Sequence, residues 1–291
     1  MSNGINSRQN EKNSIAMLAA QRQLYEDVGV IDKWNIVLSV ILPLLLSFLQ
    51  NIGVAWVKNL SYGLTLIMIF VSLKFTKCSK EMKEKASLIQ LLFDVHVYQM
   101  PWDKKLFGTK KELGADIASK SKKILGDAEQ EKSLHDWYTP SVDALPIEKG
   151  IITCQRENYH WDVGLRKRYR VISIIIIIVL LLLVLVPGII AHETINELWP
   201  RAIFFIPMVR WISNTVSGLN EDINRLNKMD THINSAGKMS MDELQEIQKH
   251  ITDHRKACIK IPTVIYNKFK DNDEDKAARR VDFSLNDTTD T

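Results

Sequence analysis

The stretch that decides the fold is Val171–Ala191, VISIIIIIVLLLLVLVPGIIA, which has no charged side chain in 21 residues. An α-helix rises about 1.5 Å per residue, so this segment would reach roughly 31 Å, the thickness of the hydrocarbon core of a bilayer. The chain as a whole is much more polar, because 25% of its 291 residues are charged. This contrast excludes an ordinary soluble globular protein.

Three further apolar stretches predict additional membrane-spanning helices. They are Trp34–Leu49, about Asn59 to Phe75, and about Leu198 to Leu219. The last is the least apolar, because it contains two prolines and two arginines. A turn is expected at residues 50–53, between the first two spans.

The positions of lysine and arginine predict the topology of these four spans. The first 33 residues contain 4 of them, residues 74–170 contain 19, and the segment from residue 210 onward contains 13. The loop between the first two spans contains 1, and residues 192–199 contain none. Basic segments face the cytoplasm, so both termini and the long middle region are expected there. An even number of spans is required for this arrangement, which supports the fourth.

The polar segments predict a helical cytoplasmic module built from three pieces of chain. Helical periodicity indicates helices over Ser14–Val28, Ser79–Tyr98, Thr109–Leu125 and Ile151–Arg170. Ser133–Gly150 contains two prolines and is expected to be an extended linker. The fold class is therefore an all-α polytopic membrane protein.

The C-terminal region continues the same pattern. A helix is expected to run from the fourth span to about Met229 and to end before Gly237. Ser240 and Glu243 have the spacing of a capping box, which would start a helix to about Lys256. The expected domains are 1–33, 34–75, 76–170, 171–219, 220–270 and an acidic, disordered tail at 271–291.

No catalytic signature is present, so the chain is not expected to be an enzyme, and no cofactor is implied. His250 and His254 have the i, i+4 spacing of two metal ligands, but no third ligand is apparent. A solvated helix face is therefore favoured over a metal site. Cys154 could be a reactive thiol, although a buried structural thiol is the preferred interpretation.

The middle region combines aromatic side chains with arginine and amide side chains. Aromatic faces stack on bases and arginine pairs with phosphate, so this set could hold a nucleotide. The alternative is that the aromatics belong to the core or to a membrane-interface belt. The ligand-binding candidates are Trp102, Trp137, Tyr138, Gln155, Arg156, Asn158, Trp161 and Arg166.

Five residues in or near the spans are candidates for a pore or a gate. Arg210 is either an intramembrane functional charge or a side chain that reaches the inner headgroups. Pro187 and Pro207 could be gating kinks or static bends. Asn59 and Thr65 favour the first pair of spans as the pore lining, and the third span would face lipid or form a dry gate.

Several short motifs resemble one known family in their order and spacing against the spans. They are Ile5-x-x-Arg8-Gln9-Asn10, Leu18–Tyr25, Phe93-Asp94, Trp102, Trp137-Tyr138, Cys154–Asn158, Trp161-Asp162-x-x-Leu165-Arg166-Lys167-x-Tyr169, Ile261-Pro262 and Ile265-Tyr266. Together they resemble the SMODS-associated four-transmembrane effectors found with bacterial oligonucleotide cyclases. The similarity extends from about residue 5 to about residue 270.

This resemblance implies a role in anti-phage defence. A cyclase would make a cyclic oligonucleotide on infection, and the effector would bind it and permeabilise the bacterial inner membrane. The implied partners are the lipid bilayer, the cyclic nucleotide, a functionally linked cyclase and further copies of the chain. A nucleic acid polymer is not implied.

The number of spans bears on the mechanism. Four spans are too few to enclose a wide aqueous lumen alone, so a homo-oligomeric pore is expected. Two alternatives stay open: a non-conducting membrane-anchored scaffold that binds a protein partner, and an unrecognised enzyme that acts on lipid. No convincing constellation of catalytic side chains supports the second alternative.

Overall fold

The computed structural model describes residues 2–49, 54–157, 160–190, 192, 194–235, 240–262, 264–266 and 268–269. The chain divides into two compact units. Unit 1 comprises Met1–Asp27, Glu81–Arg166 and Asp222–Thr291. Unit 2 comprises Val28–Lys80 and Lys167–Glu221. Unit 1 is therefore assembled from three separate pieces of chain.

The described part of the chain is all α, with no strand. The helices are α1 (Ile5–Gln9), α2 (Lys12–Ile36), α3 (Leu42–Leu49), α4 (Ala55–Tyr98), α5 (Lys104–Phe107), α6 (Lys110–Leu125), α7 (Ala128–Lys132), α8 (Ile147–Glu157), α9 (His160–Ile190), α10 (Ile195–Ser235) and α11 (Met241–Ala257). A π-helical turn, Val37–Ile41, joins α2 to α3, and a 3-10 turn covers Pro140–Ala144. The predicted fold class is confirmed in this coarser form.

The main core of unit 1 is built on the C-terminal half of α4. Ile89, Phe93 and Val97 follow one another at four-residue spacing, and none of them is exposed to solvent. They belong to one apolar cluster with Leu18 of α2 and Ile151 of α8. Burying each such side chain stabilises the fold by about 1.5–3 kcal/mol. The spacing of these residues is what makes this part of α4 a core helix.

A smaller apolar cluster joins α10 to α11 within unit 1. Leu226, Met229 and Ile233 form a stripe on α10, and they pack with Ile247 and Ile251 of α11. The positions are spaced three or four residues apart on both helices, so each helix presents one apolar face. This cluster fixes which face of α11 is turned inward.

An N-terminal hook, residues 2–9, holds the segment before α8 in place. The backbone N–H of Asn6 donates to Asp143 Oδ1 over 3.0 Å, and Asn3 Nδ2 donates to the Val142 carbonyl over 2.7 Å. Gln9 Oε1 accepts from the Tyr138 N–H over 2.7 Å, and Gln9 Nε2 donates to the Tyr138 carbonyl over 3.0 Å. The predicted extended linker over Ser133–Gly150 is therefore wrong: the segment forms the 3-10 turn and the start of α8.

Unit 2 contains the apolar parts of the long helices. Three helices of the described residues are long and apolar enough to cross a membrane: Lys12–Ser47, Ala55–Tyr98 and Asp162–Ile190. Their outward side chains include Ile175, Leu183 and Ile189, which are 53%, 54% and 67% exposed. Apolar surface of this extent is not stable in water and requires lipid or another apolar partner.

The predicted fourth span falls within α10. Inside unit 2, Phe205, Met208 and Ile212 of this helix form a buried cluster against Ile177 and Leu180 of α9. Among the described residues α10 is not one of the three candidate spans. The fourth span therefore stays a prediction.

Most of the predicted helices are confirmed, with different boundaries. The second span continues without interruption to Tyr98, as expected. The predicted helix Ser14–Val28 and the first span form one run through α2, the π-helical turn and α3. The predicted helix Ile151–Arg170 coincides with the end of α8 and the start of α9, and residues 158–159 between them lie outside the described residues. The turn at residues 50–53, the break at Gly237 and the tail 271–291 lie outside the described residues.

Candidate functional site

A buried polar layer beneath α11 is the most unusual feature of unit 1. The capping box predicted for this helix is present: Ser240 Oγ accepts from the Glu243 N–H, and Glu243 Oε2 accepts from the Ser240 N–H over 2.7 Å. The helix then turns Gln248, Thr252 and Arg255 inward, at spacings of four and three residues. The inward face of α11 thus carries hydrogen-bonding groups next to its apolar stripe.

Asp94 of α4 is the centre of this layer, and it is fully buried. Its carboxylate accepts three hydrogen bonds from side chains. Arg255 Nη1 donates over 2.6 Å, Tyr138 Oη over 2.6 Å and Gln248 Nε2 over 2.7 Å. A buried charge is tolerated only when it is paired and hydrogen-bonded in this way. Asp94 therefore joins three segments that are far apart in sequence.

Gln155 of α8 extends the same layer. Its Nε2 donates to Gln248 Oε1 and to the Leu244 carbonyl, each over 3.0 Å. Gln248 consequently links Gln155 to Asp94. The polar layer thereby connects α8, α11 and α4 through side-chain amides and one carboxylate.

A second ionic cluster surrounds Arg166, of which only 5% is exposed. Arg166 Nε donates to Asp162 over 2.9 Å, and Nη1 donates to Asp222 over 2.5 Å and to the Ile259 carbonyl over 2.9 Å. His254 Nε2 lies 3.2 Å from Asp162 Oδ2. The cluster fixes the end of α11 and the segment that follows it against the helices carrying Asp162 and Asp222.

Burial changes the proton affinity of several groups in these clusters. Burial, reinforced by the negative charge of Asp94, raises the pKa of Tyr138 well above its usual range. Burial alone would lower the pKa of Arg255, but the charge and hydrogen bond of Asp94 together with Tyr138 and Tyr25 outweigh it and raise that pKa. Burial also raises the pKa of Cys258. Tyr138 is therefore a neutral donor, and Arg255 stays charged.

Some buried polar atoms of this layer lack a hydrogen-bond partner. Gln155 Oε1, His254 Nδ1 and Arg255 Nη2 are buried and have no hydrogen-bond partner among the described residues. An unbonded polar atom in the interior costs about 1–3 kcal/mol. These three atoms are therefore the groups of the layer that keep free hydrogen-bonding capacity among the described residues.

The structure brings three of the eight ligand-binding candidates into these clusters. Tyr138, Gln155 and Arg166 are buried, and their polar atoms bond to other protein groups. Trp102 Nε1 donates to the Gly108 carbonyl over 2.9 Å, and its ring packs against Phe107.

The remaining candidates differ in exposure. Trp137 is half-buried against the main core. Arg156, in the last turn of α8, is partly exposed and has no hydrogen-bond or ion-pair partner among the described residues. Asn158 and the side chain of Trp161 lie outside what the structure describes. A ligand-contacting role for this set stays a proposal.

The candidates for a pore or gate lie at different depths in unit 2. Thr65 is fully buried and donates to the Ser61 carbonyl of its own helix over 2.9 Å, whereas Asn59 is exposed. Arg210 and Pro207 line a small cavity. Pro187 lies within α9, but its side chain is outside the described set. None of these positions by itself establishes a conduction path.

The predictions made for Cys154 and for the histidine pair are confirmed only in part. Cys154 is buried, as the preferred interpretation expected. His250 is exposed, but the expectation of a solvated face fails at His254, which is buried beside Asp162. Within the described residues, no group of three or more His, Cys, Asp or Glu could hold a metal ion.

Sequence reasoning did not propose as site residues six of the side chains that organise these clusters. They are Asp94, Asp162, Asp222, Gln248, His254 and Arg255. Two signals were available: the i, i+4 pair Asp162–Arg166 on one helix, and the inward spacing of Gln248, Thr252 and Arg255 beside the apolar stripe of α11. The long-range pairing of Asp94 with α11 had no local signal.

The three apolar candidate spans and the buried polar layer indicate a helical membrane protein whose unit 1 is polar and assembled from three pieces of chain. The family model of the SMODS-associating 4TM effector domain matches residues 3–282 of this chain. The chain belongs to this family.

One curated relative is a "Probable CBASS effector molecule" of Bacillus cereus strain VD146. It is 23% identical over 195 residues, which is 65% of this chain and 64% of the relative. The chain thus spans less than two thirds of that relative's length. No solved structure matches this chain.

Proposed function

We propose that this protein is a CBASS effector that senses a cyclic oligonucleotide through unit 1 and permeabilises the bacterial inner membrane through an oligomeric pore formed by unit 2. The observation that carries the proposal is the family match over nearly the whole chain. The relative from Bacillus cereus, named as a probable CBASS effector molecule, supports the same role for this chain.

The helices give this proposal a mechanical basis. Each of α2, α4, α9 and α10 contains a boundary between the two units, and none of them is interrupted there. A helix is stiff over many turns, so a change in the unit 1 part of such a helix is passed along its axis. A ligand opens the pore only by the difference in its affinity for the closed and open states.

The buried polar layer supports unit 1 as the responding part. It contains unbonded polar atoms, and it links segments that a rearrangement would move separately. Arg156 supplies a partly exposed guanidinium, the group best suited to pair with a phosphate of a cyclic oligonucleotide. The active species is a homo-oligomer, located in the inner membrane with both termini in the cytoplasm.

The test combines ligand binding with membrane permeability. Purified protein is reconstituted into liposomes loaded with a self-quenching dye, and a panel of cyclic di- and trinucleotides is added. Equilibrium dialysis of the same preparation measures binding. We expect one member of the panel to bind and to trigger dye release. Inserted protein that binds none of the panel would contradict the sensing function.

Two variants of α8 sharpen this test. Arg156→Ala should weaken the binding of the active nucleotide, because it removes the phosphate partner. Lys149→Ala is the matched control, since it removes an exposed cation from the same helix. Equal loss in both variants would indicate an effect of charge alone. Binding without dye release in either protein would favour the non-conducting scaffold.

A further inference from the structure

A small polar cavity lies inside unit 2, among helices that are otherwise apolar. Its volume is about 20 Å³, and its lining includes Asn35, Ser72, Thr76, Arg210 and Asn214. A space of this size holds about one water molecule or one monatomic ion. The question is which occupant its lining favours.

The hydroxyl and amide groups of this cavity are organised around Asn35, which is 8% exposed. Ser72 Oγ donates to Asn35 Oδ1 over 2.5 Å, and Ser39 Oγ, 1% exposed, donates to the same oxygen over 3.4 Å. Asn35 Nδ2 donates to Thr76 Oγ1 over 3.3 Å. The amide oxygen of Asn35 is thus occupied by protein donors, and the N–H of Asn35 that Thr76 does not use is the group of this side chain left to meet a further occupant.

Arg210 is the second feature of the cavity. Its guanidinium has no hydrogen-bond or ion-pair partner among the described residues, and no carboxylate is part of the cavity lining. A partly buried cation without a counter-charge is unfavourable in an apolar region. Its five N–H donors match the oxygens or the charge of an anion.

The backbone beside the cavity is also irregular. Ser39 is the middle residue of the π-helical turn Val37–Ile41, where the N–H of Leu42 reaches back to the Val37 carbonyl. Such turns insert an extra residue into a helix, cost stability and are frequent at functional sites. Pro207 lies on the opposite lining and cannot donate a backbone hydrogen bond within α10. The helical run that contains Ser39 is thus irregular at the level of the cavity.

We propose that this cavity is an anion-binding site in which Arg210 holds a monovalent anion or one oxygen of a phosphate group. A dissolved anion and the phosphate of a lipid headgroup share this chemistry. If unit 2 forms the pore of the proposed function, the site would also favour anions over cations during conduction. The binding itself does not depend on a pore.

The test uses iodide as the probe and Trp211, which lines the cavity, as the reporter. Full-length protein in maltoside micelles, which contain no phosphate, is titrated with iodide at constant ionic strength. The fluorescence of Trp211 is obtained by subtracting the signal of Trp211→Phe. We expect saturable quenching in the unmodified chain and at least a fivefold weaker or absent saturable component in Arg210→Gln.

Three further measurements make the outcome decisive. Arg170→Gln removes one positive charge elsewhere in unit 2 and should leave the quenching unchanged, because Arg170 pairs with Asn220 outside the cavity. Arg210→Lys should retain part of the saturable signal if Arg210→Gln acts through charge and not through misfolding. Adding phosphatidylglycerol, compared with inorganic phosphate, shows whether a lipid phosphate or a dissolved anion competes with iodide. Linear, unsaturable quenching, or equal saturation in Arg210→Gln, would overturn the proposal.

Discussion

Removal of the Asp94 charge is the sharpest test of the buried polar layer. In Asp94→Asn the side chain keeps its size but can no longer balance Arg255, which is 9% exposed and donates to it over 2.6 Å. Breaking a buried ion pair by removing one partner costs about 3–5 kcal/mol. We therefore expect Asp94→Asn to lower the free energy of unfolding of unit 1 by about this amount.

The control is a carboxylate whose charge is exposed. Asp116 lies 3.1 Å from Lys85, but these side chains are 30% and 53% exposed. Exposed pairs contribute about 0–1 kcal/mol, so Asp116→Asn should be nearly neutral. Thermal unfolding in detergent measures both variants. For chains of this size about 1 kcal/mol shifts Tm by roughly 2–4 °C, so Asp94→Asn should unfold roughly 6–20 °C lower.

A double-mutant cycle separates the pair from the individual side chains. Arg255→Gln alone should also be strongly destabilising, because it leaves Asp94 buried without a counter-charge. The double variant Asp94→Asn/Arg255→Gln should be less unstable than the sum of the two, by about 1–3 kcal/mol. Additive effects, or an Asp94→Asn variant as stable as Asp116→Asn, would refute the claim that the pair organises this layer.

The other clusters make three further predictions. Arg166→Gln should destabilise unit 1 by about 3 kcal/mol or more, whereas Arg170→Gln, which removes an exposed hydrogen bond, should stay near the parent in denaturant unfolding. Ser240→Ala should cost about 1 kcal/mol by removing the capping box of α11, seen as faster hydrogen exchange in its first turn. The bond from Ser2 lowers the pKa of Asp143 below its ordinary value of 3.8, so the N-terminal hook should be fully held above pH 3.8 and should loosen as pH falls below it. Hydrogen exchange at the Asn6 amide would show this, and in Asp143→Asn the same amide should exchange fast at every pH.

The membrane helices could be predicted because their signal is local. A run of apolar residues such as Val171–Ala191 is sufficient to identify a span, since the bilayer sets a required length. The capping box at Ser240 and Glu243 is likewise a contact between neighbours in sequence. For the same reason the uninterrupted helix that ends at Tyr98 followed from its periodicity.

The segment Ser133–Gly150 shows where local reasoning fails. Its two prolines argue against a long helix, and an extended linker was the reasonable expectation. The structure orders it through bonds from residues about 130 positions earlier, such as Gln9 to Tyr138 and Asn6 to Asp143. No pattern within the segment records that the N-terminal hook will bind it.

Asp94 likewise makes contacts at the candidate site that no local sequence pattern predicts. Its three partners are 44, 154 and 161 residues away in sequence. Tyr138 and Gln155 were selected for their resemblance to nucleotide-binding side chains, but their bonds are made to Asp94 and Gln248 within the protein. The partly exposed Arg156, on the same helix as Gln155, is a described member of that set that can still meet a ligand.

The energies of the buried layer bear directly on how such an effector could stay closed until it is needed. Shifting a two-state equilibrium from 1:99 to 99:1 requires about 5.5 kcal/mol of differential ligand binding. Losing the buried ion pair of Asp94 and Arg255 on opening would cost about 3–5 kcal/mol, whereas bonding the unbonded polar atoms in the open state would return about 1–3 kcal/mol each. If the proposed function holds, the ion pair therefore favours the closed resting state and the unbonded atoms favour opening. The difference between the two contributions is small enough for one tightly bound nucleotide to overcome. Variants that weaken this pair without unfolding unit 1 should then release dye at a lower nucleotide concentration than the parent chain.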